Sequence, residues 1–236
     1  TVYDLDSRQF IYQKNADTRF YPASITKIVT ALVSLAHFEP DSVIQVQNGY
    51  KALGNTIKLV PQDKLTVRSI LYGLLVSSGN DAALTLSENY PRGYVGFVKS
   101  MNEYATNLGL ANTHFTNPSG VVNPDHYTTA ADLTILAREA ISNAVIRQIV
   151  ITRSVTISSV DGQHSYYLES TNKLQGREGV KGLKTGWTPE SGECLVTLVE
   201  RNGHPILITI LDSQDRFGES KQLIDWAYQN FTWKNL

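Results

Sequence analysis

Three short polar clusters stand in order along the chain: Ser24-Ile25-Thr26-Lys27, Ser78-Gly79-Asn80 and Lys184-Thr185-Gly186. The first sets a hydroxyl and an amine three residues apart. On a helix that spacing leaves them about 60° apart and one turn along, as side-chain neighbours. A serine hydroxyl is a poor nucleophile until a base takes its proton, and a lysine can be that base once burial or nearby cations lower its pKa. The start of a helix also offers unpaired backbone N–H groups, which can hold a developing oxyanion. In the second cluster a glycine inside a short break lets the chain turn and aims a hydroxyl and a carboxamide into a cleft, to relay a proton and hold an amide. In the third, a strand edge can pair with an extended peptide while Lys184 and Thr185 hold a negatively charged terminus and Gly186 keeps the edge open.

Each cluster alone also has a plainer reading: a helix cap with a solvated lysine, a helix-helix turn capped by Asn80, and an edge strand guarded by a lysine. Ser-x-x-Lys recurs at Ser170 and Lys173, and Ser-x-Asn recurs at Ser87, Ser100 and Ser170, whereas Lys-Thr-Gly occurs once. Local setting separates the copies. Ser170 and Lys173 fall in a polar stretch with no apolar periodicity behind it.

The elements that must position these groups follow from hydrophobic period. Val2–Asp6 and Gln9–Gln13 read as short strands joined at Asp6-Ser7-Arg8. Behind Pro22, residues Ile25, Ile28, Val29, Leu32 and Ala36 line one side of a helix, with Ser24 in its first turn and both Ser24 and Lys27 off the apolar stripe. Helical pieces are predicted over Thr66–Leu75, Asp81–Glu88, Tyr94–Leu108 and Thr129–Ala144, the last with a capped start at Thr128-Thr129-Ala130-Ala131-Asp132. The tail changes period. Gly179–Trp187, Cys194–Glu200 and Pro205–Leu211 are strand-like, the last two joined near Asn202-Gly203, and Glu219–Phe231 returns to helical spacing. The order predicts an α/β (α+β) fold, an antiparallel sheet from both chain ends flanked by helices and fused to a mostly helical lobe. A single domain over 1–236 is expected, with a sheet lobe from about 1–23 and 145–236 and a helical lobe from about 38–144.

The bulk numbers fit such a domain. The 236 residues are 42% hydrophobic, enough for a sizeable core, and the formal net charge of −1 carries no nucleic-acid footprint. The single cysteine, Cys194, reads as a buried strand residue and rules out an internal disulfide. No apolar run reaches the length of a membrane span. The chain opens at Thr1-Val2-Tyr3 with strand-like residues and no initiator Met, so a missing leader says little about compartment.

Taken together and in order, the three clusters resemble those of the penicillin-binding proteins and serine β-lactamases. Further segments are similar to the serine-type D-alanyl-D-alanine carboxypeptidase branch: Asn15-Ala16-Asp17 before Pro22-Ala23-Ser24, Ser78-Gly79-Asn80-Asp81-Ala82-Ala83, Thr113-His114-Phe115 with Asn117-Pro118-Ser119-Gly120, Thr171-Asn172-Lys173-Leu174, and Gly182-Leu183-Lys184-Thr185-Gly186-Trp187-Thr188. The resemblance implies a β-lactamase/transpeptidase-like catalytic domain with no cofactor and no metal. It implies Ser24 as the acylated nucleophile, Lys27 as its base, Ser78 as proton relay and Asn80 as holder of Lys27 and the substrate amide. Lys184, Thr185 and Gly186 would bind the substrate's terminal region, with Arg216 helping to anchor its carboxylate. The backbone N–H groups of Ser24 and Trp187 would form the oxyanion hole. The implied partners are a peptidoglycan stem peptide ending in D-Ala-D-Ala and β-lactams as covalent inhibitors, in an extracytoplasmic, bacterial setting. Membrane-anchored members carry a second β-rich domain and an amphipathic C-terminal helix. This chain stops at Leu236, so membrane attachment is expected only through segments absent from it.

Four rivals share parts of the pattern. A class A-like β-lactamase needs a Glu-x-x-x-Asn pair; Glu139 and Asn143 have the spacing but sit in a helix pattern far beyond Ser78 and read as helix surface. A D,D-endopeptidase and a non-catalytic penicillin sensor would keep the same acylation motifs. A zinc carboxypeptidase would need clustered ligands, and the histidines at 37, 114, 126, 164 and 204 are dispersed.

Overall fold

Alternating apolar residues near the two chain ends meet in one sheet. The computed structural model describes residues 1–233, so positions 234–236 of the expected 1–236 domain lie outside the described residues. Strands β1 (Val2–Asp4) and β2 (Gln9–Tyr12) open the chain. A short 3-10 turn, Ala23–Thr26, runs into α1 (Lys27–His37). Strand β3 (Val43–Gln45) pairs with β4 (Lys64–Thr66) in a two-stranded ribbon. Helices α2 (Val67–Leu75), α3 (Asn80–Glu88), α4 (Gly93–Asn107), α5 (Ala130–Ser142) and α6 (Ala144–Val150) follow. Strands β5 (Ser154–Ser158) and β6 (Ser165–Glu169) form a hairpin. Three long strands, β7 (Val180–Thr188), β8 (Gly192–Arg201) and β9 (His204–Ser213), precede α7 (Arg216–Asn230).

The main sheet has the order β2-β1-β9-β8-β7, antiparallel throughout. The chain start is pinned to it: the Thr1 ammonium donates to the Thr209 carbonyl at 2.8 Å. The period of two in β9 sorts its side chains between two cores. Ile206, Ile208 and Ile210 face Ile224 and Ala227 of α7. Leu207 joins the larger core with Tyr3, Val196, Leu198 and the helices. Burying a leucine or isoleucine this fully contributes about 1.5–3 kcal/mol relative to leaving it exposed.

Helix α1 runs through the middle. Residues Lys27 to Ser34 are all buried, so the helix is covered all round rather than on one stripe. Its polar members satisfy themselves along the helix or against a loop: Ser34 Oγ donates to Thr30 O at 2.8 Å, and Thr30 Oγ1 donates to Pro118 O at 2.6 Å. Side-chain caps set several starts: Thr66 accepts from Ser69 N, Thr129 from Asp132 N, Asn143 from Val145 N and Ile146 N, and Asp215 from Gly218 N.

The sheet from both chain ends and its flanking helices match the expected fold. The hairpin β5–β6 and helix α6 are additions. Their burial alternates in Ser165–Glu169 and leaves Ile157 and Leu168 facing the core, a period-two signal diluted by exposed serines and tyrosines. The helix at Ser24 is a 3-10 turn first, because Ala23 takes a left-handed φ of 47° and Pro22 leads into it.

Strand β7 is an edge strand, and its position decides the cleft. It bulges between Val180 and Gly182, where Gly182 has φ of 135° and a Cβ would stand 2.1 Å from the Val150 carbonyl. Gly182→Ala should therefore lower stability by about 2–4 kcal/mol, read as a lower urea midpoint at unchanged slope. A midpoint equal to wild type would show that β7 is not clamped against α6 there.

Candidate active site

The 3-10 turn presents Ser24, and α1 begins with Lys27 directly beneath it. Lys27 lies off the apolar stripe yet is fully buried, because the 117–120 loop and the turn before α3 cover it. Its Nζ stands 2.8 Å from Ser24 Oγ, 2.6 Å from Asn80 Oδ1 and 2.9 Å from the Ser119 carbonyl. Burial first, then repulsion from Lys184, hold its pKa well below the ordinary lysine value, against the attraction of Asp81. As an ammonium, Lys27 donates to all three neighbours. As a neutral amine it has two N–H bonds, and two of its neighbours are carbonyl oxygens that can only accept. Its lone pair is then left facing Ser24 Oγ–H. That is the arrangement a serine needs to lose its proton.

Asn80 is the first residue of α3, not its cap. Its Oδ1 meets Lys27 and its Nδ2 donates to the Leu53 carbonyl at 2.6 Å. The turn before it is strained, with Ser78 at φ of 61°. Asn55 holds that turn by donating to the Ser77 and Ser78 carbonyls at 2.5 and 3.1 Å. Ser78 Oγ accepts from Lys184 Nζ at 2.8 Å, and Lys184 also donates to the Thr185 carbonyl at 2.8 Å. Lys184 is buried, and burial with repulsion from Arg216 lowers its pKa to about 7. Thr185 Oγ1 lies 2.5 Å from Thr171 Oγ1, which ties β7 to the loop after β6.

Gly186 brings β7 against the turn that carries Ser24. A Cβ there would lie 3.0 Å from Pro22 O, 3.1 Å from the Ala23 Cβ and 3.1 Å from Ser24 N. Trp187 follows on the same edge with its ring 60% exposed. Arg216, the first residue of α7, donates to the Gly186 carbonyl at 2.6 Å, while its Nε is buried without a hydrogen-bond partner among the described residues. The sequence-named residues Ser24, Lys27, Ser78, Asn80, Lys184, Thr185, Gly186 and Arg216 therefore connect through direct contacts around one cleft. The pair Glu139 and Asn143 lies elsewhere: Glu139 holds Arg138 at 2.7 Å and Asn143 caps α6.

Both the sequence and the fold are similar to those of known proteins. The profile of the D-alanyl-D-alanine carboxypeptidase family matches residues 1–215. The chain belongs to that family. It is similar to the D-alanyl-D-alanine carboxypeptidase of Streptomyces sp. strain K15, at 38% identity over 221 residues that cover 86% of this chain and 76% of that protein. It is similar to the D-alanyl-D-alanine carboxypeptidase DacF of Bacillus subtilis, at 30% identity over 96% of this chain and 60% of DacF. A solved mutant of the Streptomyces K15 DD-transpeptidase superposes with a TM-score of 0.91 at 34% identity, covering 97% of this chain and 96% of that one.

Within this carboxypeptidase-family site, several functional contacts had no role assigned from sequence. The Ser119 carbonyl is one; the Asn117-Pro118-Ser119-Gly120 turn was visible, but not that its backbone faces Lys27. Asp81 is another. Its buried carboxylate accepts from Ile57 N at 3.1 Å and Leu59 N at 3.0 Å, and so holds the 57–59 segment against the start of α3. Asn55 and Thr171 are two more, each recognisable only through its partner.

Lys184 gives a testable sign. Its pKa is about 7 folded and 10.5 as an ordinary side chain, so between these values the unfolded chain binds more protons and stability rises with pH. Burial thus destabilises the fold fully below pH 7 and progressively less above it. Urea midpoints taken from pH 7 to about 9 should rise for wild type relative to Lys184→Met. Parallel curves for the two would show that the buried amine carries no such penalty.

Proposed function

We propose that this chain is a serine D-alanyl-D-alanine carboxypeptidase that removes the terminal D-alanine of peptidoglycan stem peptides and is acylated by β-lactams. The observation that carries the reading is the Lys27 amine. It is buried and held at 2.8 Å from Ser24 Oγ while two carbonyl oxygens occupy its N–H bonds.

Lys27 takes the Ser24 proton as Oγ attacks the carbonyl carbon between the two D-alanines. The carbonyl oxygen becomes an oxyanion and is met by the backbone N–H groups of Ser24 and Trp187; each such donor is typically worth about 3 kcal/mol. Ser78, supported by Lys184, relays the proton taken up by Lys27 to the leaving nitrogen as the C–N bond breaks and D-alanine departs, which returns Lys27 to the free amine. Asn80 holds Lys27 through Oδ1 and the substrate amide alongside. The departing carboxylate is bound by Lys184 and Thr185, with Arg216 drawn toward the same strand by the Gly186 carbonyl. Water then attacks the Ser24 ester, returns its proton through Lys27 and releases the shortened peptide. A β-lactam follows the same first half, but its amine stays attached after ring opening, and the ester hydrolyses slowly. The substrate supports an extracytoplasmic location. No helix among the described residues is long and apolar enough to cross a membrane.

Fluorescent penicillin should label wild type covalently and leave Ser24→Ala dark, and wild type should release D-alanine from diacetyl-Lys-D-Ala-D-Ala. Equal labelling of both forms would end the assignment of Ser24. Lys27→Met, close in shape, should keep its melting temperature within a few degrees and lose roughly 10²–10⁴-fold in acylation rate. A variant that acylates at the wild-type rate would remove Lys27 as the base.

A further inference from the structure

His126 is a buried imidazole outside the groups used above, and both its nitrogens are committed. Nδ1 receives the Thr116 backbone N–H at 3.1 Å and lies 3.2 Å from Asn117 Nδ2. Both of those neighbours are donors. The orientation of the Asn117 amide is fixed because its Oδ1 accepts from Gly120 N at 2.7 Å and Val121 N at 3.0 Å. Nδ1 is therefore the acceptor, and the ring proton sits on Nε2. Nε2 is 2.8 Å from Thr26 Oγ1, so the imidazole donates to that hydroxyl. Thr26 Oγ1 in turn donates to the Ala23 carbonyl at 2.9 Å. Burial, with a smaller effect from His114, lowers the His126 pKa to about 3, so the ring stays neutral and this donor order persists at working pH.

The end of that chain matters because of what shares a peptide plane with it. The Ala23 carbonyl and the Ser24 N–H belong to one trans peptide, so fixing the direction of the C=O fixes the N–H in the opposite direction. Ala23 holds a left-handed φ of 47°, a conformation that is unfavourable for an alanine and does not persist unaided. The carbonyl is also backed by Gly120, where a Cβ would stand 1.8 Å from Ala23 O. The Ser24 N–H side of the same plane borders Gly186 of β7, with Ser24 N only 3.1 Å from the place of a Cβ there.

We propose that His126 is a positioning residue that directs the Ser24 amide N–H into the oxyanion hole by fixing the Ala23–Ser24 peptide plane through Thr26. The proposal rests on Ser24 being the acylated nucleophile. His126 touches no substrate; it carries the docking of the 115–126 segment to the one backbone donor on the nucleophile itself. The same segment supplies the Ser119 carbonyl that holds Lys27, so base and oxyanion donor are set by one loop.

An amide reproduces both hydrogen bonds of this imidazole, its oxygen accepting from Thr116 and its nitrogen donating to Thr26; a phenyl ring keeps the volume and makes neither. His126→Phe and Thr26→Val should each lower kcat for D-alanine release roughly 10- to 100-fold at nearly constant KM, with rates normalised to the titre of penicillin-reactive sites. His126→Gln should recover most of the loss. The double variant should fall no further than the worse single one. In the penicilloyl-enzyme the infrared band of the ester carbonyl should move to higher wavenumber in His126→Phe and Thr26→Val, since a misdirected N–H polarises it less. Where His126→Phe fails to fold, Thr26→Val decides. A labelled wild type beside a Thr26→Val enzyme with unchanged kcat and unchanged ester band would overturn this proposal alone. A wild type that penicillin does not label would overturn the reading of Ser24 and this proposal with it.

Discussion

Two lysine amines, Lys27 and Lys184, are fully buried around one cleft and repel each other. Most of the site's geometry answers that constraint. A buried ammonium must be either paired or discharged. Neither lysine forms an ion pair among the described residues; each is held by hydroxyl and carbonyl oxygens instead. The nearest buried acid, Asp81, has its oxygens occupied by the backbone of Ile57, Leu59 and Ala82. It attracts Lys27 without contacting it. A direct carboxylate partner would have stabilised the ammonium and kept Lys27 protonated, with no lone pair to take the serine's proton. Spending Asp81 on the 57–59 segment leaves the amine available to act as a base.

Two strained backbone positions stand where these groups converge. Left-handed residues without the glycine exemption stand at Ala23, immediately before Ser24, and at Ser78, immediately before the turn into α3. Each is held by side chains from elsewhere in the chain: Ala23 by Thr26 and the face of Gly120, the Ser78 turn by Asn55 and Lys184. The larger core supplies the rigidity for this. Helix α1 is buried on every side, so the Ser24–Lys27 pair sits on the least mobile kind of element while its partners arrive on loops that hydrogen bonds dock onto it.

What could be read from the sequence divides along the same line. Period and turn chemistry sufficed for the long strands β7, β8 and β9 and for the helices, because each has a continuous apolar face. On the proposed reading Ser24, Lys27, Ser78, Asn80, Lys184 and Arg216 act through their own functional groups, whose types limit the chemistry and make them legible in the sequence. Contacts made by backbone were not. The Ser119 carbonyl is available from any residue type, and a loop spelled Asn117-Pro118-Ser119-Gly120 announces a turn without saying what its carbonyls face. Lys27 was read as off the apolar stripe, a position that is solvated on most helices. It is buried here only because segments far along the chain close over it, and no local period encodes that. Hairpin β5–β6 was missed for a related reason: it is half-exposed, and its alternation is carried by few apolar residues.

The placement of Glu139 and Asn143 bears on how the acyl-enzyme is released. Class A-like chemistry uses a glutamate to activate the deacylating water. Here Glu139 is engaged with Arg138, in a hollow it shares with Arg8 and Pro205, and Asn143 is engaged with the start of α6. On the proposed reading, Lys27 then has to serve both halves of the reaction, accepting a proton from Ser24 first and from water second. A peptide substrate makes this workable, because D-alanine leaves and vacates the space beside Lys27. A ring-opened β-lactam keeps its amine tethered to the ester, in the space that water must enter. On that reading, peptide and β-lactam differ in what remains beside Lys27 Nζ, which stands 2.8 Å from Ser24 Oγ: an emptied leaving-group site for the peptide, a tethered amine for the drug.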